Sequence, residues 1–354
     1  MGDTQLTILG MSGSGKTCYL LGLYYKMVAG LKGYTLKTDD DTDVLLRDRY
    51  TKLSDTTLEY SERFPAGTDN VIKYEFDLQY GYKTIMSFDW VDYPGGLLDR
   101  KVYGDLEAYE SIKSNINTSS CLFICVDGEL LCGNDFDEKV DKIRDNCSHV
   151  INSFFSDYFI ENKKLPPTAI LITKYDICQN DTNEDELCEV IMEAFSPFFV
   201  SNAVKKIVVI IPVSLGTDLV GNYTDAKIKP LNVNLPIYMG ISFALVEKYK
   251  QLMVQIKQHS DINQKKLSSL MYDKTEEENS FFLFRSEDKI NRLAREIERL
   301  KDKSKTDLEQ LHHLLRGAQD TRTKLIKELG KIPHVYCNGK EASFSELFEL
   351  EDSK

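Results

Sequence analysis

Short apolar runs of strand length alternate with amphipathic segments of helical length along most of the chain. Nearly continuous apolar runs predict buried strands at residues 6–9, 119–126, 168–173 and 207–213. Helical periodicity or composition predicts helices at residues 17–29, 44–60, 97–116, 136–159, 185–199 and 237–257. Because strands and helices alternate and the strands are apolar on both faces, the pattern predicts an α/β fold. Its sheet should be mostly parallel and covered by helices on both faces.

Two further segments alternate apolar and polar residues with period two. Residues 71–80 and 84–91 show this strand pattern on either side of Gly81, so they predict a hairpin. The hairpin should add an antiparallel edge strand to the sheet, and residues 34–37 could form another short strand. In such a sheet, ligand-binding loops lie at the carboxyl ends of the strands.

The C-terminal third has a different pattern, and residues 273–280 are predicted to form a charged linker. Residues 286–329 carry apolar positions at spacings of three and four, with Ser304 on the apolar seam, which predicts a long helix or coiled-coil arm. The arm could dimerise or pack as an antiparallel hairpin against the preceding helix, and the hairpin is preferred. We therefore expect a domain at 1–257 with an insertion at about 30–67, a linker or helix extension at 258–285, the arm at 286–330, and a small hairpin with an acidic tail at 331–354.

Charge and composition argue against some classes of function. The 354 residues carry a net charge of -12, which is unfavourable for a general nucleic-acid or anionic-membrane binder. No apolar run approaches the roughly 20 residues that span a bilayer, so no membrane span is expected. Eight cysteines are scattered without a CxxC pair, and we expect a reduced, cytoplasmic protein.

The most informative motif lies between the first predicted strand and the first predicted helix. Residues 10–17, GMSGSGKT, fit G-x-x-x-x-G-K-[ST] at every defined position. In this context the glycines let backbone N–H groups point inward at phosphates, and the helix N-terminus adds positive potential. Lys16 would reach the β- and γ-phosphates, and the Thr17 hydroxyl would bind Mg²⁺. The expected nucleotide-binding residues here are Ser12, Gly13, Ser14, Gly15, Lys16, Thr17 and Cys18. The alternative is an ordinary Gly/Ser-rich turn.

A second motif, Asp92 to Gly95, follows the returning strand of the predicted hairpin. Asp92 would hold the Mg²⁺ shell, and the Gly95 N–H could sense a γ-phosphate. The alternative is a plain turn at the hairpin exit. Asp89 competes for the metal role, but it lies inside the strand, so Asp92 is preferred.

A third motif, Thr173 to Asp176, follows another buried strand. The Asp176 carboxylate could accept both the N1–H and the N2–H₂ of guanine, a donor pair that adenine lacks. Lys174 could lay its aliphatic stem along the nucleotide and the phosphate loop. Ser214 and Leu215, after the last core strand, are candidates for a loop that closes over the base. The alternatives are a simple turn after the strand, or an ATPase in which Asp176 is incidental.

This ordered set resembles the P-loop GTPases of the Ras-like, translation-factor class over about residues 4–250. The resemblance implies a switch threonine before the hairpin. Thr68 fits, and Thr56 and Thr57 are fallback candidates. It further implies Lys16, Thr68 and Gly95 as catalytic residues, and Thr17, Thr68 and Asp92 as Mg²⁺ ligands. The insertion before FPAGT and the string DYPGG also look like bacterial double-GTPase-type domains, which are associated with conflict or defence systems.

One position departs from the family pattern. Where many Ras-like enzymes carry a water-orienting Gln after the motif glycine, this chain has Gly96. We therefore expect slow intrinsic hydrolysis, completed by a partner or a second subunit. Arg63 and Arg100 flank the switches and could contribute, although surface solvation is the expected role of each. The resulting hypothesis is a GTP-hydrolysing switch that acts on protein partners through its switch loops and arm. The alternatives are a GTP-binding scaffold with negligible hydrolysis and an ATPase.

Overall fold

The computed structural model describes residues 4–67, 70–95, 106–181, 183–201, 204–216, 219, 228–278 and 286–347, with residues 106–109 described for their backbone alone. The chain forms two compact units. The first contains Met1–Ala244 together with Leu325–Lys354, and the second contains Leu245–Lys324.

The first unit is built on a sheet. The strands are β1 (Gln5–Gly10), β2 (Tyr34–Lys37), β3 (Ile72–Tyr80), β4 (Lys83–Asp92), β5 (Ser119–Asp127), β6 (Thr168–Thr173), β7 (Ile207–Pro212), β8 (Val335–Cys337) and β9 (Lys340–Glu341). Among the described residues their order is β2-β3-β4-β1-β5-β6-β7-β8-β9. Pairing is parallel from β4 through β1, β5 and β6 to β7. The mixed α/β fold with a mainly parallel centre is therefore confirmed.

Antiparallel pairing occurs at both edges of this sheet, whereas the sequence predicted one antiparallel edge strand. β2 pairs with β3, and β3 pairs with β4, at one edge. β8 pairs with β7, and β9 pairs with β8, at the other edge. The second edge was missed because β8 and β9 are short and lie more than 120 residues after β7, beyond the reach of local periodicity.

The helices largely match the predicted positions. They are α1 (Lys16–Val28), α2 (Asp40–Ser54), α3 (Tyr60–Arg63), α4 (Leu106–Thr118), α5 (Phe136–Ile143), α6 (His149–Asn162), α7 (Tyr175–Cys178), α8 (Glu184–Ala194), α9 (Ser196–Phe199), α10 (Asn234–Glu278) and α11 (Glu287–Leu329). Asp39 caps α2 by accepting a hydrogen bond from Thr42 N. None of the described helices combines the length and the apolar character needed to cross a membrane.

Three predicted helices are shorter or interrupted in the structure. The segment predicted at 44–60 stops at Ser54, and α3 follows separately. A π-helical turn at Arg144–Ser148 interrupts the segment predicted at 136–159. The segment predicted at 185–199 is divided at Phe195 into α8 and α9. The start predicted at residue 97 lies outside the described residues.

Of the two alternatives predicted for residues 258–285, the structure has the helix extension as far as Glu278, because α10 continues through the predicted charged linker. Neither Gly nor Pro interrupts the chain between Ile241 and Glu278, and charged Lys and Glu side chains are good helix formers. Lys274 and Glu278 pair at 3.2 Å one turn apart, which supports the helix to its end.

The two faces of the sheet are covered by different helices. Apolar side chains of α5, α6 and α8 pack on one face against alternate residues of β5 and β6, such as Ile124 and Ile170. On the opposite face the Trp90 ring lies 6.0 Å from the Tyr19 ring of α1 and 5.3 Å from the Phe123 ring of β5. This two-sided burial explains the nearly continuous apolar sequences of the central strands.

The second unit is a helical hairpin. His259 contacts Asp307, Asn263 donates to Ser304, and Lys289 pairs with Glu277. Along these contacts the residue numbers increase in α10 while they decrease in α11, so the two helices are antiparallel. The intramolecular arrangement preferred from the sequence is the one found, and Ser304 on the seam is paired with a polar partner at 3.0 Å.

The end of the chain belongs to the first unit. Asn338 N donates to Lys206 O at 2.9 Å, and Lys206 N donates to the Asn338 side chain at 2.8 Å. Leu325 and Leu329 of α11 are fully buried, as is Leu347 near the end of the described chain. The small hairpin predicted within residues 331–354 therefore extends the main sheet.

We predict that Leu329→Ala lowers the free energy of unfolding of the full chain by about 2–5 kcal/mol, because it leaves a cavity at a fully buried site. Leu314→Ala, on the same helix with Leu314 53% exposed, is the matched control and should change stability by less than about 0.5 kcal/mol. Urea denaturation measures both. Equal effects of the two substitutions would contradict the packing of the C-terminal segment into the first unit.

Candidate nucleotide-binding site

The loop between β1 and α1 has the backbone that the phosphate-loop motif requires. Gly10, Gly13 and Gly15 have φ values of 152°, 79° and 78°. A Cβ on Gly10 would lie 2.8 Å from Cys125 O on β5, a backbone atom that cannot move aside. The loop is therefore seated tightly on the neighbouring strand, and its curl depends on glycine.

Lys16 lies within this loop. Its side chain is buried, and Nζ donates to Gly10 O at 2.8 Å and to Met11 O at 3.1 Å. The Ser14 hydroxyl is also buried and has no partner among the described residues. The loop thus concentrates a cation and an unused hydroxyl where phosphate oxygens would be bound.

Gly95 lies directly against the phosphate loop. A Cβ at this position would be 2.1 Å from Ser12 N and 2.5 Å from Met11 C. Gly95, the last residue of the motif that begins at Asp92, is therefore in contact with the phosphate loop. Thr68, Gly96 and Arg100 lie outside the described residues.

Asp92 ends β4 beside the same loop. It pairs in register with Ile8 of β1, two residues before Gly10, whereas Asp89 pairs with Gln5 and forms an ion pair with Lys73 at 2.7 Å. Asp92 is 2% exposed, and its Oδ1 has no partner among the described residues. Burial raises the pKa of Asp92 to about 6, partly opposed by the positive charge of Lys16. Of the two acids, Asp92 is the one near the loop.

These residues fit a magnesium ion. Thr17 lies at the first turn of α1 and lines the cavity described below, and an unpartnered buried carboxylate is the kind of oxygen donor that Mg²⁺ takes. Among the described residues no cluster of three or more His, Cys, Asp or Glu forms a complete protein cage. A site with few protein ligands is typical of Mg²⁺ that keeps waters and binds substrate phosphates.

The third motif is tied to the phosphate loop by one side chain. The Thr173 hydroxyl lies 2.8 Å from Ser14 O and 3.0 Å from Val126 O, and its single proton is shared between these carbonyls. It thereby joins β6, β5 and the loop. Asp176 follows at the start of α7. Burial raises the pKa of Asp176, while hydrogen bonding from Ser214 and the charge of Lys174 lower it.

Lys174 has two carboxylate partners. Its Nζ lies 2.7 Å from Asp127 Oδ2 and 2.9 Å from Glu129 Oε1. Burial lowers the pKa of Lys174, but these two partners outweigh it and the pKa is raised. Lys174 also has a left-handed backbone conformation (φ 49°), which the sequence did not reveal.

Residues from all three sequence motifs line one cavity of about 300 Å³. Every predicted nucleotide-binding residue lines it: Ser12, Gly13, Ser14, Gly15, Lys16, Thr17, Cys18, Thr173, Lys174, Asp176, Ser214 and Leu215. Gly95 lines it as well, whereas Asp92 is buried and is not one of the lining residues. The structure thus brings together residues that are more than 200 positions apart in the sequence.

Several lining residues were missed from the sequence. Tyr60 and Phe64 line the cavity and stack on each other with ring centroids 4.3 Å apart, and Pro65 to Gly67 continue this wall. Glu129 is another. The FPAG string before Thr68 was the available signal for the wall, but its side-chain directions depend on tertiary packing.

The expectation that Arg63 is solvated at the surface is wrong. Arg63 is 8% exposed, and its Nη2 donates to Leu53 O at 3.2 Å and to Leu219 O at 3.0 Å. Its guanidinium also lies 5.5 Å from the centre of the Phe64 ring. A guanidinium can satisfy several carbonyls at once, which is why it can be buried here without a carboxylate.

No family model and no curated protein matches the chain. A solved structure of nucleolar GTP-binding protein 1 from Plasmodium falciparum has 13% identity and a TM-score of 0.35, covering 73% of this chain and 95% of that one. The signal recognition particle receptor SRb–GTP/SRX complex from Chaetomium thermophilum has 11% identity and a TM-score of 0.36, covering 62% and 91%. The Arl6 small GTPase from Trypanosoma brucei, with a bound nucleotide analogue, has 13% identity and a TM-score of 0.32, covering 62% and 90%.

These TM-scores are below 0.5, so the fold is assigned from the chain's own geometry. A glycine-rich loop joins β1 to α1, an acid ends the adjacent strand β4, and a T-K-x-D turn follows β6 on the other side. This arrangement is a mixed α/β sheet in which a phosphate-loop motif lies between two further motifs at strand ends.

We predict that Asp92→Asn stabilises the nucleotide-free chain at pH 7.5 by up to about 3 kcal/mol. In the folded chain the pKa of Asp92 is raised from 3.8 to about 6, so the folded state holds a proton that the unfolded state has lost between these values. Stability therefore falls as pH rises from about 4 to about 6, and the neutral amide removes this loss.

Thermal unfolding at pH 5 and pH 7.5, with and without Mg²⁺–GTP, measures the effect. Asp48→Asn, an exposed carboxylate on α2, is the control and should be neutral. A variant that is less stable than the parent at pH 7.5 without nucleotide would refute the assignment of Asp92 as a buried, unsatisfied acid.

Proposed function

We propose that this chain binds GTP with Mg²⁺ and hydrolyses it to GDP and phosphate. The single observation that carries the proposal is the Thr173 hydroxyl, which ties the phosphate loop at Ser14 to the strand that presents Asp176. A phosphate-binding loop and a carboxylate suited to guanine therefore border one cavity. In this proposal the two ends of one nucleotide occupy the two ends of that cavity.

At the phosphate end, inward backbone N–H groups and Lys16 bind the β- and γ-phosphates. Lys16 Nζ would exchange its two carbonyl partners for phosphate oxygens, which form stronger charge-assisted hydrogen bonds. Thr17 and Asp92 would hold Mg²⁺, with Thr68 as a further proposed ligand. The ion would neutralise negative charge on the phosphate oxygens.

At the base end, Asp176 accepts from the guanine N1–H and N2–H₂. Its raised pKa reflects burial, and a pair of donors from the base would favour the ionised form. Ser214 and Leu215 lie beside it on the same cavity, and Lys174 is held in place by Asp127 and Glu129. Adenine would leave the carboxylate without its donors, which is the basis of the proposed selectivity.

Hydrolysis requires a water aligned with the γ-phosphate. Lys16 and the Gly95 N–H are the proposed stabilisers of the charge that develops there, because Gly95 lies against the loop. Gly96 in place of a water-orienting side chain supports slow turnover that a partner or self-association accelerates. Signalling through the switch loops and the helical hairpin to cytoplasmic protein partners completes the proposal. The FPAGT and DYPGG strings are the basis for proposing a role in a bacterial defence system.

The second candidate is a GTP-binding scaffold with negligible hydrolysis. Gly96 favours it as well, and so does the long hairpin of the second unit, which offers an assembly surface. Single-turnover hydrolysis with excess protein distinguishes the two, because the scaffold would return GTP intact at every protein concentration.

We predict that Asp176→Asn weakens GTP binding by about 100-fold or more and shifts preference towards XTP. The amide donates where the carboxylate accepted, so it matches the xanthine O2 and opposes the guanine N2–H₂. Competition between GTP, XTP and ATP at equilibrium measures the change. Asp185→Asn, whose parent side chain is 87% exposed, is the matched control and should leave all three affinities unchanged. Unchanged GTP affinity in the Asp176 variant, with ATP competing equally, would show that the guanine assignment is wrong.

A further inference from the structure

A second cavity, of about 430 Å³, adjoins the nucleotide cavity. Thr17 and the wall formed by Phe64, Pro65, Ala66 and Gly67 line both. The other lining residues are Arg49, Lys52, Glu62, Arg63, Asn70 and Ile72. Apart from Thr17, no residue that lines this second cavity has a role in the proposed binding of GTP.

The second cavity is positively charged. Arg49 and Lys52 are three residues apart on α2 and therefore lie on the same face of that helix. Arg63 is the third cation, and Glu62 is the single carboxylate in the lining. Glu62 accepts a hydrogen bond from Glu59 N at the start of α3, so part of its hydrogen-bonding capacity is used within the helix cap. The balance of three cations to one anion favours a negatively charged ligand.

Two of the three cations could accommodate a ligand without losing strong partners. Lys52 pairs with Asp48 at 2.8 Å, but both side chains are more than half exposed, so the pair is weak and easily exchanged. The Arg63 guanidinium is fixed by the carbonyls of Leu53 and Leu219. Its Nε is buried and has no partner among the described residues. A buried donor that lacks an acceptor is destabilising, and an oxyanion would supply the acceptor.

We propose that this second cavity binds inorganic phosphate and holds the phosphate released by hydrolysis before it leaves the protein. The proposal rests on the proposed function for the source of the phosphate. Thr17 and the wall at residues 64–67 are common to both cavities, so a phosphate departing from the γ position enters the second cavity by moving past them. Arg49 can present parallel N–H groups to a phosphate, a geometry that lysine cannot provide, and Arg63 adds positive charge to the same cavity.

The first experiment titrates inorganic phosphate into the full chain in three states: nucleotide-free, with GDP, and with a non-hydrolysable GTP analogue. The analogue fills the γ position, so phosphate that still binds must bind elsewhere. Binding in all three states, measured by calorimetry, is the expected result. Binding that disappears with the analogue would place the phosphate at the γ position and overturn the proposal, as would no binding in any state.

The test variant is Arg49→Gln/Lys52→Gln, because Lys52 is exposed and Arg49 is only partly buried, and their removal leaves the buried Arg63 in place. Phosphate affinity should fall by at least about tenfold, the loss expected for one charge-assisted hydrogen bond. The matched control is Lys37→Gln/Arg47→Gln, which removes the same charge at exposed positions outside the cavity and should change affinity less than about twofold. Equal losses of phosphate affinity in the two variants would show that only the net charge of the chain matters, and this would overturn the proposal.

The second experiment identifies the source of the phosphate. In the parent chain, phosphate release during a single turnover should lag behind GTP cleavage, and the lag should shorten at least about threefold in Arg49→Gln/Lys52→Gln with the cleavage rate unchanged. Absence of a lag in the parent would contradict a product-holding role. If the chain binds phosphate in the first experiment but binds no GTP, the proposed function fails while the anion site stands, so the two failures are distinguishable.

Discussion

The site depends on how closely three backbone segments meet around the phosphate loop. Gly10 touches β5, Gly95 touches Ser12, and the Thr173 hydroxyl bridges the loop to β5 and β6. None of these contacts tolerates much displacement, because each involves a backbone atom of the loop or of a central strand. The central strands are in turn fixed by burial on both faces. The rigid core therefore sets the positions of the residues proposed to bind the phosphates and the base relative to each other.

Some buried polar groups around the phosphate loop have hydrogen-bond partners within the chain, and others have none among the described residues. Lys16 is buried but has two carbonyl partners, whereas Asp92 is buried with one oxygen unpaired and a raised pKa. Ser14 adds an unpaired hydroxyl. Buried polar groups without partners destabilise the chain, and they are the groups that a magnesium–nucleotide complex would satisfy. Ligand binding and stability should therefore be strongly linked in this protein.

Residues whose roles depend on local sequence were predicted well. The phosphate loop, the central strands and the acid at the end of β4 follow from short-range patterns, since a strand, a glycine-rich turn and a helix each leave a local signature. The residues that were missed depend on tertiary contacts. Arg63 is buried because two distant carbonyls accept from it, and β8 joins β7 across more than 120 residues. Glu129 lies at the site and forms an ion pair with Lys174, a contact that no spacing in the sequence indicates.

The central claim is that the cavity between the phosphate loop and Asp176 selects a guanine nucleotide. The most direct test is equilibrium competition between Mg²⁺–GTP and Mg²⁺–ATP for the unmodified full-length chain. The structure predicts that GTP binds at least about 100-fold more tightly, because only guanine supplies paired donors to the half-buried Asp176 carboxylate. Equal affinity for the two nucleotides would contradict the account.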